Sequence, residues 1–218
     1  MKTVKKCLAV LLVLGLSLAL FGCKLVWDKN HKEPTEPPVE ETTLPPEGPA
    51  GDGATLETAE VTHYVTIEIE NYGTIKAELY GKTAPISVEN FVTLAQSGFY
   101  DGMTFHRIID GFMMQGGAPG ADSPVVQPIK GEFASNGITN NLLHVRGVLS
   151  VARTPDMDSA TSQFFIVHQT SPHLDGDYAA FGMVTEGIEI VDTICAGKNG
   201  IIPEDEQPVI RSLTVTEA

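Results

Sequence analysis

From residue 61 to residue 218, short apolar stretches with the period of a β-strand alternate with turn-forming residues, and this pattern restricts the segment to a mainly β fold. Tyr64-Val65-Thr66-Ile67-Glu68-Ile69 alternates apolar and polar side chains, Asn71-Tyr72-Gly73 supplies a turn, and residues 75–80 alternate again, which predicts a β-hairpin. Further short apolar runs separated by glycines lie at 103–109, 112–115, 147–152, 163–167 and 180–184, with a final strand near 209–215. Two segments carry helical spacing instead. Val88, Phe91, Val92 and Ala95 fall at i, i+3, i+4 and i+7, behind Pro85 and ahead of Gly98. Ile188, Val191, Ile194 and Cys195 mark a second short helix over about 187–196. Many short strands with two helices are compatible with a closed barrel.

The first sixty residues follow different rules. Lys2, Lys5 and Lys6 precede an apolar run over 8–21 that is too short to span a bilayer comfortably, so residues 1–22 are expected to be a removable export signal. The sequence Leu20-Phe21-Gly22-Cys23 resembles the lipobox of bacterial lipoproteins. That resemblance implies a lipidated Cys23 at the new N-terminus and a protein anchored to the cell membrane, facing outside the cytoplasm. Residues 23–60 carry Pro34, Pro37, Pro38, Pro45, Pro46 and Pro49 among Glu, Thr and Gly. Such a stretch buries too little apolar surface to offset its ordering entropy, and an extended tether is expected ahead of one folded domain over 61–218.

Charge and cysteines narrow the chemistry. The formal net charge is −14, and losing the three signal lysines deepens it to −17. Phosphates would be repelled, which excludes charge-driven binding to nucleic acid or anionic lipid. Cys7 falls in the signal and Cys23 would carry lipid, leaving Cys195 as a small buried hydrophobe on a helix face. His63, His144, His168 and His173 lack metal-ligand spacing, and Asp156, Asp158, Asp175 and Asp177 lack calcium-loop spacing, so no metal site is expected and these carboxylates read as exposed loop residues. Ser150 is not in a G-x-S-x-G elbow, and the glycine-rich residues 116–120 lack the ending of a phosphate loop and read as a turn.

One block is more specific. Phe105-His106-Arg107-Ile108-Ile109-Asp110-Gly111-Phe112-Met113-Met114-Gln115-Gly116-Gly117 resembles the signature segment of the cyclophilins. Gly147-Val148-Leu149-Ser150-Val151-Ala152-Arg153, Ser162-Gln163-Phe164-Phe165-Ile166, Leu174-Asp175-Gly176 and Ala180-Phe181-Gly182 follow in the same order and spacing. The resemblance covers residues 61–218 and implies a closed eight-stranded antiparallel β-barrel capped by two α-helices, with a substrate groove on its outer surface. It also implies peptidyl-prolyl cis–trans isomerase activity on proline-containing polypeptides, without cofactor, by a monomer. Carried over position by position, Arg107 is the catalytic residue, and Phe112, Met113, Gln115, Ala152, Arg153, Gln163, Phe165, Leu174 and Tyr178 bind substrate. His173 stands where animal members often have Trp, which argues against tight cyclosporin binding, and Tyr178 stands where they have His.

The residues suit that reaction on their own terms. If 105–109 is a strand, Phe105, Arg107 and Ile109 share one face, and an arginine between large apolar neighbours needs a specific partner such as Gln115 or Gln163. His106 would then point the other way, in a structural role. Two other classes compete with an isomerase. One is a catalytically idle module that holds Pro-containing partners in the same groove; the other is an adhesin or solute-binding lipoprotein with an unrelated site.

Overall fold

The computed structural model describes Leu56 and residues 58–120 and 122–218, so the expected signal, the lipidation at Cys23 and most of the 23–60 tether lie outside the described residues. The predicted hairpin is present. β1 (His63–Ile69) and β2 (Gly73–Leu79) pair in register from His63 opposite Leu79 to Ile69 opposite Gly73. Asn71 takes the left-handed conformation at the turn, φ 64°, which a short amide side chain tolerates. Alternation does what the sequence implies: Val65, Ile67, Ile69, Ile75, Ala77 and Leu79 are all buried.

α1 (Pro85–Gln96) follows, then β3 (Phe105–Ile109), β4 (Met113–Gly116), β5 (Val148–Val151), β6 (Phe164–Val167), β7 (Ala180–Glu186), α2 (Ile188–Cys195), β8 (Asn199–Ile201) and β9 (Ile210–Glu217). All nine strands form one antiparallel sheet in the order β8-β3-β4-β6-β5-β7-β2-β1-β9. It curls into a half-barrel around the main core, with α1 packed on β9 and α2 on β2 and β4.

The expectation of a closed eight-stranded barrel is therefore corrected. β8 has a polar, largely exposed sequence with no apolar alternation, which is why it was not legible. It occupies the free edge of Arg107, Ile108 and Ile109, the hydrogen-bonding groups that closure would require. The start of β9 and the residues before it meet the chain around the start of β3 through the isolated bridge between Thr104 and Val209 and a few backbone hydrogen bonds, among them Gly102 N–H to the Ile210 carbonyl and Phe105 N–H to the Pro208 carbonyl, rather than through a strand ladder.

Two apolar clusters sandwich the sheet. β5 and β6 are buried on both faces: Leu149, Val151, Phe164 and Ile166 join the inner core, whereas Val148, Phe165 and Val167 join an outer cluster with Met113 and Leu174. Leu56, Ala59 and Val61, at the end of the expected tether and the start of the domain, pack against this outer cluster. Cys195 is buried as the sequence implied, and burial pushes its thiol up to about 12.

α1 begins without a cap of its own, because Ala84 offers no side-chain acceptor. A distant carboxylate substitutes. The Ile86 and Ser87 backbone N–H groups donate to Glu132 at 3.0 and 2.7 Å, and the Ser87 hydroxyl donates to it at 2.6 Å. Glu132 is 1% exposed, and its own carbonyl accepts from Asn140 Nδ2 at 3.0 Å. The negative charge therefore sits where the helix leaves its orphan donors. Glu132→Ala should lower unfolding free energy by about 3 kcal/mol in urea, because three donors, the two of Ser87 in buried bonds, lose their acceptor. Glu132→Gln, which keeps the shape, should lose about half as much; a loss under about 0.5 kcal/mol for both would remove the cap from the stability of α1.

Candidate active site

Strand register builds the site before any side-chain detail. Arg107 on β3 stands opposite Gln115 on β4, Gln115 opposite Phe165 on β6, and Phe165 opposite Ser150 on β5. Residues paired this way point to the same side of a sheet, so the four form one row across the outer face. The shared face predicted for Phe105, Arg107 and Ile109 is corrected. Phe105 and Ile108, both 0% exposed, belong to the inner core, whereas Ile109 packs in the outer cluster and Arg107 lines the groove. The cause is a register shift between Phe105 and Arg107, which inserts His106 as an extra residue and turns the rest of the strand over.

A cavity of about 390 Å³ opens over this row. It gathers Arg107, Phe112, Met113, Gln115, Ala152, Arg153, Phe165, Leu174 and Tyr178 together with His173. Gln163, the remaining residue singled out from the sequence, is outside the lining and acts one step back. Its Oε1 accepts from Gln115 Nε2 at 2.9 Å, and Gln115 Oε1 in turn accepts from Arg107 at 3.3 Å. This chain fixes which way the Gln115 amide faces and, among the described residues, leaves most guanidinium N–H groups of Arg107 unengaged. Among the described residues Arg107 has no ion-pair partner, unlike Arg146, paired with Asp192, and Arg211, paired with Glu70.

The apolar floor is held from outside. Phe112 lies on the β3–β4 turn, where the Gly111 N–H donates to His168 Nδ1 at 3.0 Å and the Phe112 carbonyl accepts from the His168 N–H at 2.8 Å. The His173 ring leans on Phe112 with centroids 5.3 Å apart, and Tyr178 meets Phe165 edge-on at 6.0 Å. Arg153 does not reach freely into the cavity. Its guanidinium donates to the carbonyls of Asp177 and Thr154 and stacks on the rings of Tyr178 and Phe133 at 4.6 and 4.9 Å. It positions the Tyr178 wall.

Beneath Phe165 lies a network that the sequence reading missed. Asp175 Oδ1 accepts from His144 Nδ1 at 2.9 Å, and His144 Nε2 accepts from the Ser150 hydroxyl at 2.9 Å. His144 stacks on Phe165, 18° from parallel. Asp175 is thus not the exposed loop carboxylate expected; it lies 31 residues from His144 and 25 from Ser150 in sequence, and only the fold brings it to them. The arrangement has the connectivity of a nucleophilic triad, but Ser150 is 0% exposed, so its hydroxyl cannot meet a substrate. Burial lowers the pKa of His144 against the opposing pull of Asp175. Burial and then the neighbouring Arg107 lower that of His106, whose Nδ1 is buried without a hydrogen-bond partner among the described residues.

The family model described as "Cyclophilin type peptidyl-prolyl cis-trans isomerase/CLD" matches residues 64–216. Peptidyl-prolyl cis-trans isomerase A of Dickeya dadantii is 47% identical over 116 residues, 51% of this chain and 60% of that protein. Peptidyl-prolyl cis-trans isomerase B of Bacillus subtilis is 45% identical over 119 residues, 53% of this chain and 79% of that protein. A crystal structure of a cyclophilin type peptidyl-prolyl cis-trans isomerase of Cryptosporidium parvum superposes with a TM-score of 0.61 at 30% identity, covering 72% of this chain and 99% of that one. The same protein solved in the presence of the dipeptide Ala-Pro gives a TM-score of 0.60 at 30% identity, over 71% of this chain and 99% of its own.

The two lowered histidines fix the sign of a pH effect. Below an ordinary imidazole value near 6.5 the unfolded chain takes up protons that the folded chain refuses, so stability is whole above that pH and falls below it. The unfolding free energy measured in urea should drop between pH 7 and pH 5, by at most about 1.4 kcal/mol per pH unit for each histidine. His144→Gln should flatten the drop without abolishing it, since His106 remains; parallel curves for the two proteins would show that His144 carries none of it.

Proposed function

The chain belongs to the cyclophilin-type peptidyl-prolyl cis-trans isomerase family, and from this premise we propose that residues 61–218 accelerate X-Pro rotation in polypeptides seated in the Arg107 groove. The observation that carries the reading is the guanidinium of Arg107, without an ion-pair partner among the described residues, beside an apolar floor of Phe112, Met113, Phe165 and Leu174. The Ala-Pro dipeptide present with the Cryptosporidium relative supports the same substrate class.

Rotation about a prolyl bond breaks amide resonance, a barrier of about 18–20 kcal/mol, without making or losing a covalent bond. In the twisted state the prolyl nitrogen regains a lone pair. An N–H donor placed on that nitrogen therefore stabilises the transition state more than the planar amide. Arg107 stays charged and offers five N–H groups in a rigid fork, one of them held by Gln115. The remaining donors serve the nitrogen and the neighbouring carbonyl. The apolar floor takes the ring, and its low polarity disfavours the more charge-separated planar amide. Gln115, steadied by Gln163, orients the donor; Arg153 holds Tyr178 as the wall.

The setting is also part of the proposal. An export signal over 1–22 and a lipidated Cys23 place the enzyme at the membrane, outside the cytoplasm, where slow X-Pro isomerisation limits the folding of exported chains. Described residues of one chain line the groove, which supports a monomer as the acting form.

A short X-Pro peptide whose cis form resists a protease tests the activity. The protein should shorten the spontaneous phase of tens to hundreds of seconds, and Arg107→Ala should lower kcat/KM by about 10²- to 10³-fold. Peptide binding without acceleration would mean an idle binding module. Mass spectrometry of the exported protein should find an N-terminal lipidated Cys23; an intact Met1 would overturn the anchor.

A further inference from the structure

Charge around the groove points to an occupant within the chain itself. The chain has four arginines. Arg146 and Arg211 are paired with carboxylates, and the other two, Arg107 and Arg153, line the groove without an ion pair among the described residues. Among the described residues no carboxylate lines the cavity, although the chain carries a formal charge of −14. The groove is therefore a local positive site on an acidic body, suited to a proline flanked by acidic residues.

Residues 33–49 have that chemistry. They contain six prolines and five glutamates and neither lysine nor arginine, beginning Glu33-Pro34-Thr35-Glu36-Pro37-Pro38. They precede Leu56, Ala59 and Val61, which pack against the outer cluster to which Met113, Phe165 and Leu174 of the groove also belong. Reach is sufficient. Pro34 to Pro46 lie 22 to ten residues ahead of Leu56, which is roughly 33–75 Å of extended chain, whereas a domain of this size has a radius of gyration of about 15 Å. A tethered segment of that length presents itself at an effective concentration on the order of millimolar, enough to compete with weakly held outside peptides.

We propose that residues 33–49 occupy the Arg107 groove in cis, as a resident acidic X-Pro substrate that outside polypeptides must displace. The proposal rests on the isomerase reading above and adds a preference for glutamate before proline.

Residues 24–218, which hold every described element, can be labelled on proline and followed by NMR exchange spectroscopy, with an unrelated X-Pro peptide in the same sample. The Glu33-Pro34 and Glu36-Pro37 bonds should interconvert at least tenfold faster than in Arg107→Ala, at a rate that does not change on tenfold dilution. Glu33→Lys with Glu36→Lys should slow their exchange and leave that of the unrelated peptide equal or faster. If the unrelated peptide is catalysed while the chain's own prolines exchange over tens of seconds or longer, the inference fails and the isomerase reading stands. A rate proportional to protein concentration would replace the in-cis occupant with a second copy's groove and overturn the proposal. Failure to catalyse either substrate removes the isomerase reading itself.

Discussion

The register of β3, β4, β6 and β5 is the constraint on which the site depends, because it sets Arg107, Gln115, Phe165 and Ser150 in one row. A slip of one residue in any of these ladders would move its side chain to the inner core. The slip is prevented by burial on both sides. β5 and β6 present apolar residues to the inner core and the outer cluster alike, so neither strand has a solvent face on which an alternative register could rest. The bulge at His106 is the one place where the rule is bent. It lets Phe105 seal the core while Arg107, two residues later, faces outward. Gly116 makes this possible from the partner strand, since a Cβ there would lie 2.8 Å from the Phe105 ring.

Around that row the groove is assembled from turns held by side chains rather than by regular structure. His168, at the end of β6, accepts from Gly111 and donates to Asp192, so it pins the turn that carries Phe112. Asp192 is also gripped by Arg146, which ties α2 to the same point. On the opposite wall Arg153 uses three nitrogens on backbone carbonyls and lies over two aromatic rings. These contacts immobilise the apolar floor and wall before a ligand arrives, and preorganisation of that kind is what electrostatic catalysis requires.

Much of this was legible in the sequence where side-chain period and composition agree. The β1–β2 hairpin, α1 and α2 follow from period two, period 3.6 and terminal glycine or proline, since burial on one face leaves a strong local imprint. β8 left none, because it contributes backbone edge and its one apolar side chain, Ile201, is exposed, and with it the open topology was missed. The inversion of Phe105 was missed because a bulge changes phase without changing composition. Nine of the ten groove residues inferred by resemblance come together at one cavity, whereas Gln163 stands behind it. His144 and Asp175 were illegible for a different reason: their partnership is long-range, and nothing in either local sequence separates a buried hydrogen-bonded pair from loop residues.

That pair shows why exposure must be weighed with geometry. Asp175, His144 and Ser150 have the distances and order of a nucleophilic relay, and by connectivity alone they would outrank a lone arginine as a catalytic constellation. Yet Ser150 is sealed between strands and the His144 imidazole is disfavoured as a cation by burial, so neither can exchange a proton with a substrate. Their hydrogen bonds instead satisfy polar groups that the outer cluster would otherwise leave unpaired, and the flat His144 ring supports Phe165 from below. Arg107 has the weaker connectivity, one long hydrogen bond to Gln115, but its remaining donors face the open cavity. A reaction that rotates a bond without breaking one needs a donor held ready and accessible, and in this fold the relay contributes to the holding while the arginine alone has the access.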